Sequence, residues 1–207
     1  MIITAIEYVE GKKYKVYVND DFAFELYKSE IKSCGLEKGQ ELNEELYEKI
    51  LYEVVGRRAK KRAMHILEKH DKTEQQLREK LHENRYPSEC IENAIKYVKS
   101  YGYVDDASYV RKYVEYRIKK KSKKQLKMEL LGKGISNEII SGVFDEIEDS
   151  ELDTIRELII KKYPFSADIT PEEKNKIKMS LMRKGFPYSD IERAFAELEE
   201  EGILEIT

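Results

Sequence analysis

Apolar and polar positions follow two regimes along this chain. Over the first 27 residues they alternate in three short runs, Ile2 to Val9, Tyr14 to Val18 and Phe22 to Tyr27. A period of two puts alternate side chains on opposite faces of a strand, so the runs predict a β-meander. Glu10-Gly11-Lys12 and Asn19-Asp20-Asp21 supply the turns, because Gly and Asn tolerate the positive φ of tight hairpins. Two helices are expected next, a short one from Ser29 to Cys34 and another from Asn43 to about Val55, separated by Gly35 and Gly39.

Beyond Gly56 strand signals are scarce and the pattern repeats. Leu77, Leu81, Tyr86, Ile91 and Ile95 recur 49 positions later as Leu126, Leu130, Ile135, Ile140 and Phe144. They recur a further 51 positions on as Ile177, Leu181, Phe186, Ile191 and Phe195. Apolar anchors spaced alike three times over define a repeated structural unit. Its boundaries carry matching chemistry. Thr73 with Gln76, Ser122 with Gln125, and Thr170 with Glu173 read as capping boxes, and Pro171 suits the first helical position. Gly134 and Gly185 should close the middle helices in the left-handed conformation. Arg85 occupies that place in the first unit, so Asn84 is expected to take the left-handed turn there. Pro87 and Pro187 stand just before third helices.

The expected fold is therefore mainly α: three tandem three-helix repeats forming an elongated body, with a small N-terminal β-rich head. The domains divide as 1–55 for the head, then 56–104, 105–149 and 150–207 for the repeats. Strand content should be confined to the head. A hydrophobic fraction of 41% suits several small cores in a row better than one large core.

Charge sharpens this picture because it is segregated. Lys+Arg number 38 against 41 Asp+Glu, so the totals nearly cancel. Residues 57–70 nevertheless carry Arg57, Arg58, Lys60, Lys61, Arg62 and Lys69 against Glu68 alone, and residues 111–133 carry ten Lys/Arg against Glu115 and Glu129. Acid collects in Asp145, Glu146, Glu148, Asp149, Glu151 and Asp153, and again from Glu197 to Glu205. A charge run is often a solvated face, but basic clusters beside acidic ones also suit DNA phosphates or acidic patches on a protein.

Catalytic signals are lacking. His65, His70 and His82 show no ligand spacing, and there is no phosphate loop, nucleophile elbow or nucleotide fingerprint, so no catalytic residue, metal or cofactor is expected. Cys34 and Cys90 read as free, packed thiols. The lack of an apolar leader or long apolar run, with so few cysteines, points to the reduced cytoplasm and no membrane. Asp105 and Asp106 are read as helix-capping acids rather than a metal pair. Tyr109, Tyr113 and Tyr116 share a helical face, which suits core packing, with base stacking as the alternative.

Residues 100–136 carry a family resemblance. Gly102-Tyr103-Val104-Asp105-Asp106, the aromatic Tyr109, the basic run through Arg117, Leu126, Leu130 and the closing Lys133-Gly134-Ile135 together resemble the central repeat of the RecX family. With the shared periodicity the likeness extends over about residues 56–200, and the first 55 residues look like the extra N-terminal segment of longer members. The resemblance implies a regulator that binds a RecA recombinase filament on DNA, lying in its groove, and dampens ATP hydrolysis, strand exchange and filament growth. A monomer with weak or indirect DNA contact is expected. Arg57, Arg58, Lys61, Arg62, Arg111, Arg117, Lys120, Lys123, Lys124 and Lys127 are the candidate partner- or DNA-binding residues. A DNA-binding transcription regulator of the helix-turn-helix kind is the competing expectation.

Overall fold

The computed structural model describes residues 1–147, 150–162 and 167–206, so Glu148 and Asp149 of the first acidic block lie outside the described residues. By backbone contacts the chain divides into two compact units, Met1–Asp105 and Asp106–Thr207.

The first unit opens with three antiparallel strands in sequence order, β1 (Ile3–Tyr8), β2 (Lys13–Val18) and β3 (Asp21–Tyr27). Asn19 and Asp20 alone join β2 to β3, with φ of 51° and 71°. Two left-handed residues are what the twist-matched two-residue hairpin requires, and Asn and Asp tolerate that conformation. Helix α1 (Lys28–Ser33) follows, then α2 (Glu44–Lys49), capped by the Asn43 side chain accepting from the Leu46 N–H at 2.8 Å.

The second of these helices does not stop near Val55 as the sequence pattern suggests. It widens into a π-helical turn, Ile50–Val55, and continues without a break into α3 (Gly56–Lys69). Gly56 is right-handed, with φ of −61°. Its lack of a side chain serves packing, since a β-carbon there would stand 3.2 Å from the Leu51 carbonyl oxygen and 4.0 Å from Cys90 Sγ. The buried Cys90 thiol donates to the same Leu51 carbonyl at 3.2 Å. The Leu51 carbonyl also accepts the Gly56 N–H, the i to i+5 bond that defines the wide turn, so it receives two donors.

Helices α4 (Glu74–Glu83) and α5 (Ser88–Ser100) complete the first triplet. One continuous core runs from Ile3 and Phe24 in the sheet through Val55, Leu77 and Leu81 to Ile95 and Val104. The sheet and the first triplet are therefore one packed body.

The second unit contains α6 (Asp106–Glu115), α7 (Lys123–Leu131), α8 (Asn137–Asp145), α9 (Glu151–Lys162), α10 (Pro171–Arg183) and α11 (Tyr188–Glu200). Each triplet packs alike: the first helix against the third, as in α3/α5, α6/α8 and α9/α11, and the second against the third. Of the fifteen anchors only Tyr86 and Phe144 are less than buried. The second unit has two cores, one around Leu126, Leu130 and Ile140, the other around Ile159, Leu181 and Phe195.

Strands are not confined to the head. Within the third triplet β4 (Ala167–Ile169) pairs in parallel with β5 (Leu204–Ile206). Ile169 and Leu204 are buried in the adjoining core, so apolar residues in a loop and a terminal tail gain both burial and a ladder. Helix α10 also starts one turn earlier relative to its anchors than α7 does, because its capping Thr170 lies seven residues before Ile177 whereas Ser122 lies four before Leu126.

The capping chemistry differs in detail from the sequence pattern. Thr73/Gln76 and Thr170/Glu173 form reciprocal boxes. Ser122 accepts from the Gln125 N–H at 3.1 Å, but Gln125 gives nothing back, because the Ser122 N–H already donates to the Lys184 carbonyl at 3.2 Å. Gly134 and Gly185 are left-handed, with φ of 81° and 85°. In the first triplet Arg85 itself takes that conformation, with φ of 58°, while Asn84 remains at −84°.

Candidate interaction surface

The basic residues of α3 divide by face. Arg57 and Lys61, one turn apart, are exposed and have no ion pair among the described residues. Arg58 turns inward: its guanidinium donates to the Glu25 carbonyl, stands 3.1 Å from the Glu30 carboxylate and lies 5.0 Å from the centre of the Tyr27 ring. Arg62 is half-buried, with Nε enclosed and lacking a hydrogen-bond partner among the described residues. Two of the four candidates on this helix therefore face solvent and two pack against protein.

Arg58 belongs to a latch between the sheet and the first triplet. Glu25, buried on β3, accepts from Arg85 at 2.9 Å and stands 3.9 Å from Lys13 Nζ. This pair offers a reason for Arg85 to hold a left-handed backbone that glycine takes in the other triplets. The three-residue turn before Pro87 gave no sequence signal for such a long-range bond.

In the second unit the basic segment spans the end of α6 and the start of α7. Residues 116–121 form an irregular turn in which the Ile118 N–H donates to the Val114 carbonyl at 2.8 Å and the Lys121 N–H to the Arg117 carbonyl at 3.1 Å. Buried Ile118 pins this turn to the core and leaves Tyr116, Lys119 and Lys120 facing outward. Lys124 is exposed on the first turn of α7, and Lys127 is half-buried. None of these four lysines has an ion pair among the described residues.

The remaining candidates are engaged internally. Arg111 makes two hydrogen bonds to Glu146, at 3.1 and 3.2 Å, which hold that carboxyl below its ordinary value. Arg117 lies 4.0 Å from the centre of the Tyr113 ring. Lys123 donates its backbone N–H to Glu151 at 2.5 Å and its ammonium to the Ile147 carbonyl at 3.3 Å. Tyr113 ties the region together: its hydroxyl donates to Glu129 at 2.8 Å, and its ring stacks on Tyr109 with centroids 6.1 Å apart. Burial, and then the neighbouring Glu129, push the phenol up to about 12. Glu129 is held below its ordinary value chiefly by the hydrogen bond from Lys121.

The tyrosine stripe is thus split. Tyr109 and Tyr113 pack on the core, whereas α6 ends at Glu115 and Tyr116 is 74% exposed beside the free lysines. Asp105 stands immediately before α6 and Asp106 opens it. Among the described residues no group of three His, Cys, Asp or Glu is placed to hold a metal ion. No helix of the described residues is long and apolar enough to cross a membrane.

In the second unit Lys119, Lys120 and Lys124 form an unneutralised cluster around an exposed tyrosine, and in the first Arg57 and Lys61 form an unneutralised pair on α3. Clustered cations without internal counterions create a positive potential that favours an anionic partner. Fold and surface together define a tandem three-helix-repeat protein with an exposed basic turn in its second repeat. The chain belongs to the RecX family of regulatory proteins. Family models described as the first, second and third three-helix domains of RecX match residues 59–97, 105–143 and 148–195. The chain is 30% identical to regulatory protein RecX of Clostridium acetobutylicum over 95% of each chain. It is 32% identical to that of Clostridioides difficile, again over 95% of each. Among solved structures, a crystal structure of regulatory protein RecX matches with a TM-score of 0.60 at 24% identity, covering 94% of this chain and 98% of the other. RecX from Lactobacillus salivarius matches at the same TM-score and identity over 70% of this chain and 97% of its own. These last two show the fold.

Proposed function

We propose that this protein binds RecA recombinase filaments on DNA and restrains their ATP hydrolysis, strand exchange and growth. It acts without catalysing a reaction of its own, as a monomer in the cytoplasm, with the filament protein as its principal partner and DNA contact secondary. Membership of the regulatory family along nearly the whole chain carries this reading. The exposed turn bearing Lys119 and Lys120, with Lys124 on the first turn of α7, supports it, because its charge is left for a partner. Arg57, Lys61 and Lys127 are assigned to the same task. Arg58, Arg111, Arg117 and Lys123 serve it through the internal contacts that shape the two surfaces, and Arg62 by its half-buried place on α3.

The test is inhibition of RecA ATP hydrolysis on single-stranded DNA by wild type and by Lys119→Glu/Lys120→Glu/Lys124→Glu across a salt series, with circular dichroism as a folding control. Lys123 is left intact, since reversing it would break its bond to the Ile147 carbonyl. Inhibition should weaken roughly tenfold or more at low salt and converge with wild type as salt rises, because screening acts on engaged charges. Equal inhibition at every salt concentration would remove the turn from the mechanism. Wild type that fails to inhibit at all would remove the recombinase reading.

A further inference from the structure

The outward faces of two middle helices are apolar where nothing in the fold requires it. On α7 Met128 is 66% exposed and Leu131 43%; on α10 Met179 is 58% exposed and Met182 45%. The second pair is the first displaced by the repeat interval of 51. Scattered exposed apolar residues are ordinary on a protein surface. Here the repeats provide a control, since the same positions in the first triplet, 49 residues earlier, are Glu79 and His82. The fold therefore accepts polar residues there, and packing does not explain the apolar pairs.

Their surroundings are basic. Lys124 is exposed one turn before Met128, and Lys176 and Arg183 are exposed on α10. The acids of these helices are largely occupied: Glu129 bonds Lys121 and Tyr113, and Glu173 bonds Thr170 in the cap. Exposed Glu172 lies two turns from Met179. The two helices approach each other at one end each, where the Ser122 N–H before α7 donates to the Lys184 carbonyl after α10 at 3.2 Å. Met182 and Lys124 each stand two residues from that bond.

The geometry points to these faces of α7 and α10 as a docking surface for an acidic, amphipathic segment of a protein. Its apolar side chains would cover the methionines and its carboxylates would meet Lys124, Lys176 and Arg183. Unbranched methionine side chains adapt to the shape of such a segment. A phosphate backbone would use the cations but gain little from the apolar row. The proposal rests on the recombinase reading, in that the segment belongs to the filament protein.

Full-length Met128→Gln/Leu131→Gln/Met179→Gln/Met182→Gln tests it by co-sedimentation with RecA filaments on single-stranded DNA, alongside binding to the same DNA alone. The expected result is filament affinity reduced about tenfold or more with affinity for bare DNA unchanged, since the losses fall on apolar contacts. Met128→Glu, a single change at a highly exposed position, should act in the same direction and stands in if the quadruple variant misfolds. Undiminished filament binding overturns the surface while leaving the recombinase reading in place. An equal loss on bare DNA overturns it in favour of a nucleic-acid site. A wild-type dimer that dissociates in the variant overturns it in favour of a second copy of this chain. Wild type that does not sediment with filaments removes the recombinase reading and this surface with it.

Discussion

Replacing Gly185 by alanine should be unusually damaging for a substitution of one hydrogen by a methyl group. The residue closes α10 with φ of +85°, and a β-carbon there would lie 2.5 Å from Ser122 Oγ and 3.3 Å from Gln125 Cβ. Two costs add. A left-handed backbone costs a non-glycine residue roughly 1–2 kcal/mol. Forcing a carbon into a filled space costs roughly 1–3 kcal/mol more. Ser122 cannot move aside freely, because it is buried, its Oγ accepts the Gln125 N–H at 3.1 Å, and its own N–H donates to Lys184. Gly185→Ala should therefore lose about 2–5 kcal/mol.

Gly202 separates the two costs. Its φ is +68° and a β-carbon would meet nothing within 4 Å, so Gly202→Ala should lose only the backbone part, about 1–2 kcal/mol. Urea unfolding followed by circular dichroism measures both. Removing the obstructing oxygen then tests the clash itself: in Ser122→Ala/Gly185→Ala the two losses should fall short of additivity by roughly 0.5–3 kcal/mol. A Gly185 variant no weaker than the Gly202 variant, or a strictly additive double variant, would refute the tight contact between the second and third triplets.

Two further predictions concern the cores and the ion pairs. Leu130 is completely buried, so Leu130→Ala should cost roughly 2–5 kcal/mol by urea titration, and a loss below about 1 kcal/mol would contradict its place in the core. Glu129 and Glu74 titrate below their ordinary value of 4.5, first because of hydrogen bonds from Lys121 and Lys99. A depressed folded value stabilises the protein above the unfolded value and loses that contribution as pH falls through the folded one. The urea midpoint should thus decline between about pH 5 and pH 3, less steeply in Glu129→Gln, and a midpoint independent of pH there would contradict both pairs.

The repeated architecture was legible because its information is local and redundant. Five anchors and a closing turn recur together at intervals of 49 and 51, each unit with a cap nearby, so an error at any one position is outvoted by the others. The features that escaped are long-range or depend on neighbours. α2 continues into α3 through a π turn whose Leu51 carbonyl also meets a cysteine thiol 39 residues away. The short parallel pair of β4 and β5 joins segments with no shared local pattern. Arg85 holds a conformation for which glycine or asparagine would be chosen locally, and its partner Glu25 lies 60 residues upstream. For the surface, sequence located the basic runs but could not sort them, since Lys123 and Lys124 are adjacent and only one is free.

Repetition also narrows where specific binding can reside. Positions shared by all three triplets are those that build a core, and they explain the fold without explaining a partner. Lys119, Lys120 and Lys124 correspond, 49 residues earlier, to His70, Asp71 and Gln75, and, 51 residues later, to Thr170, Pro171 and Asn175. The basic turn is thus confined to the second triplet, while the apolar row is shared by the second and third and absent from the first. A contact made by the generic three-helix surface would engage all three triplets alike. One made by the basic turn and the apolar row together can be complete only in the second, so on the proposed recombinase reading substitutions there should weaken filament binding more than the equivalent changes in either neighbour.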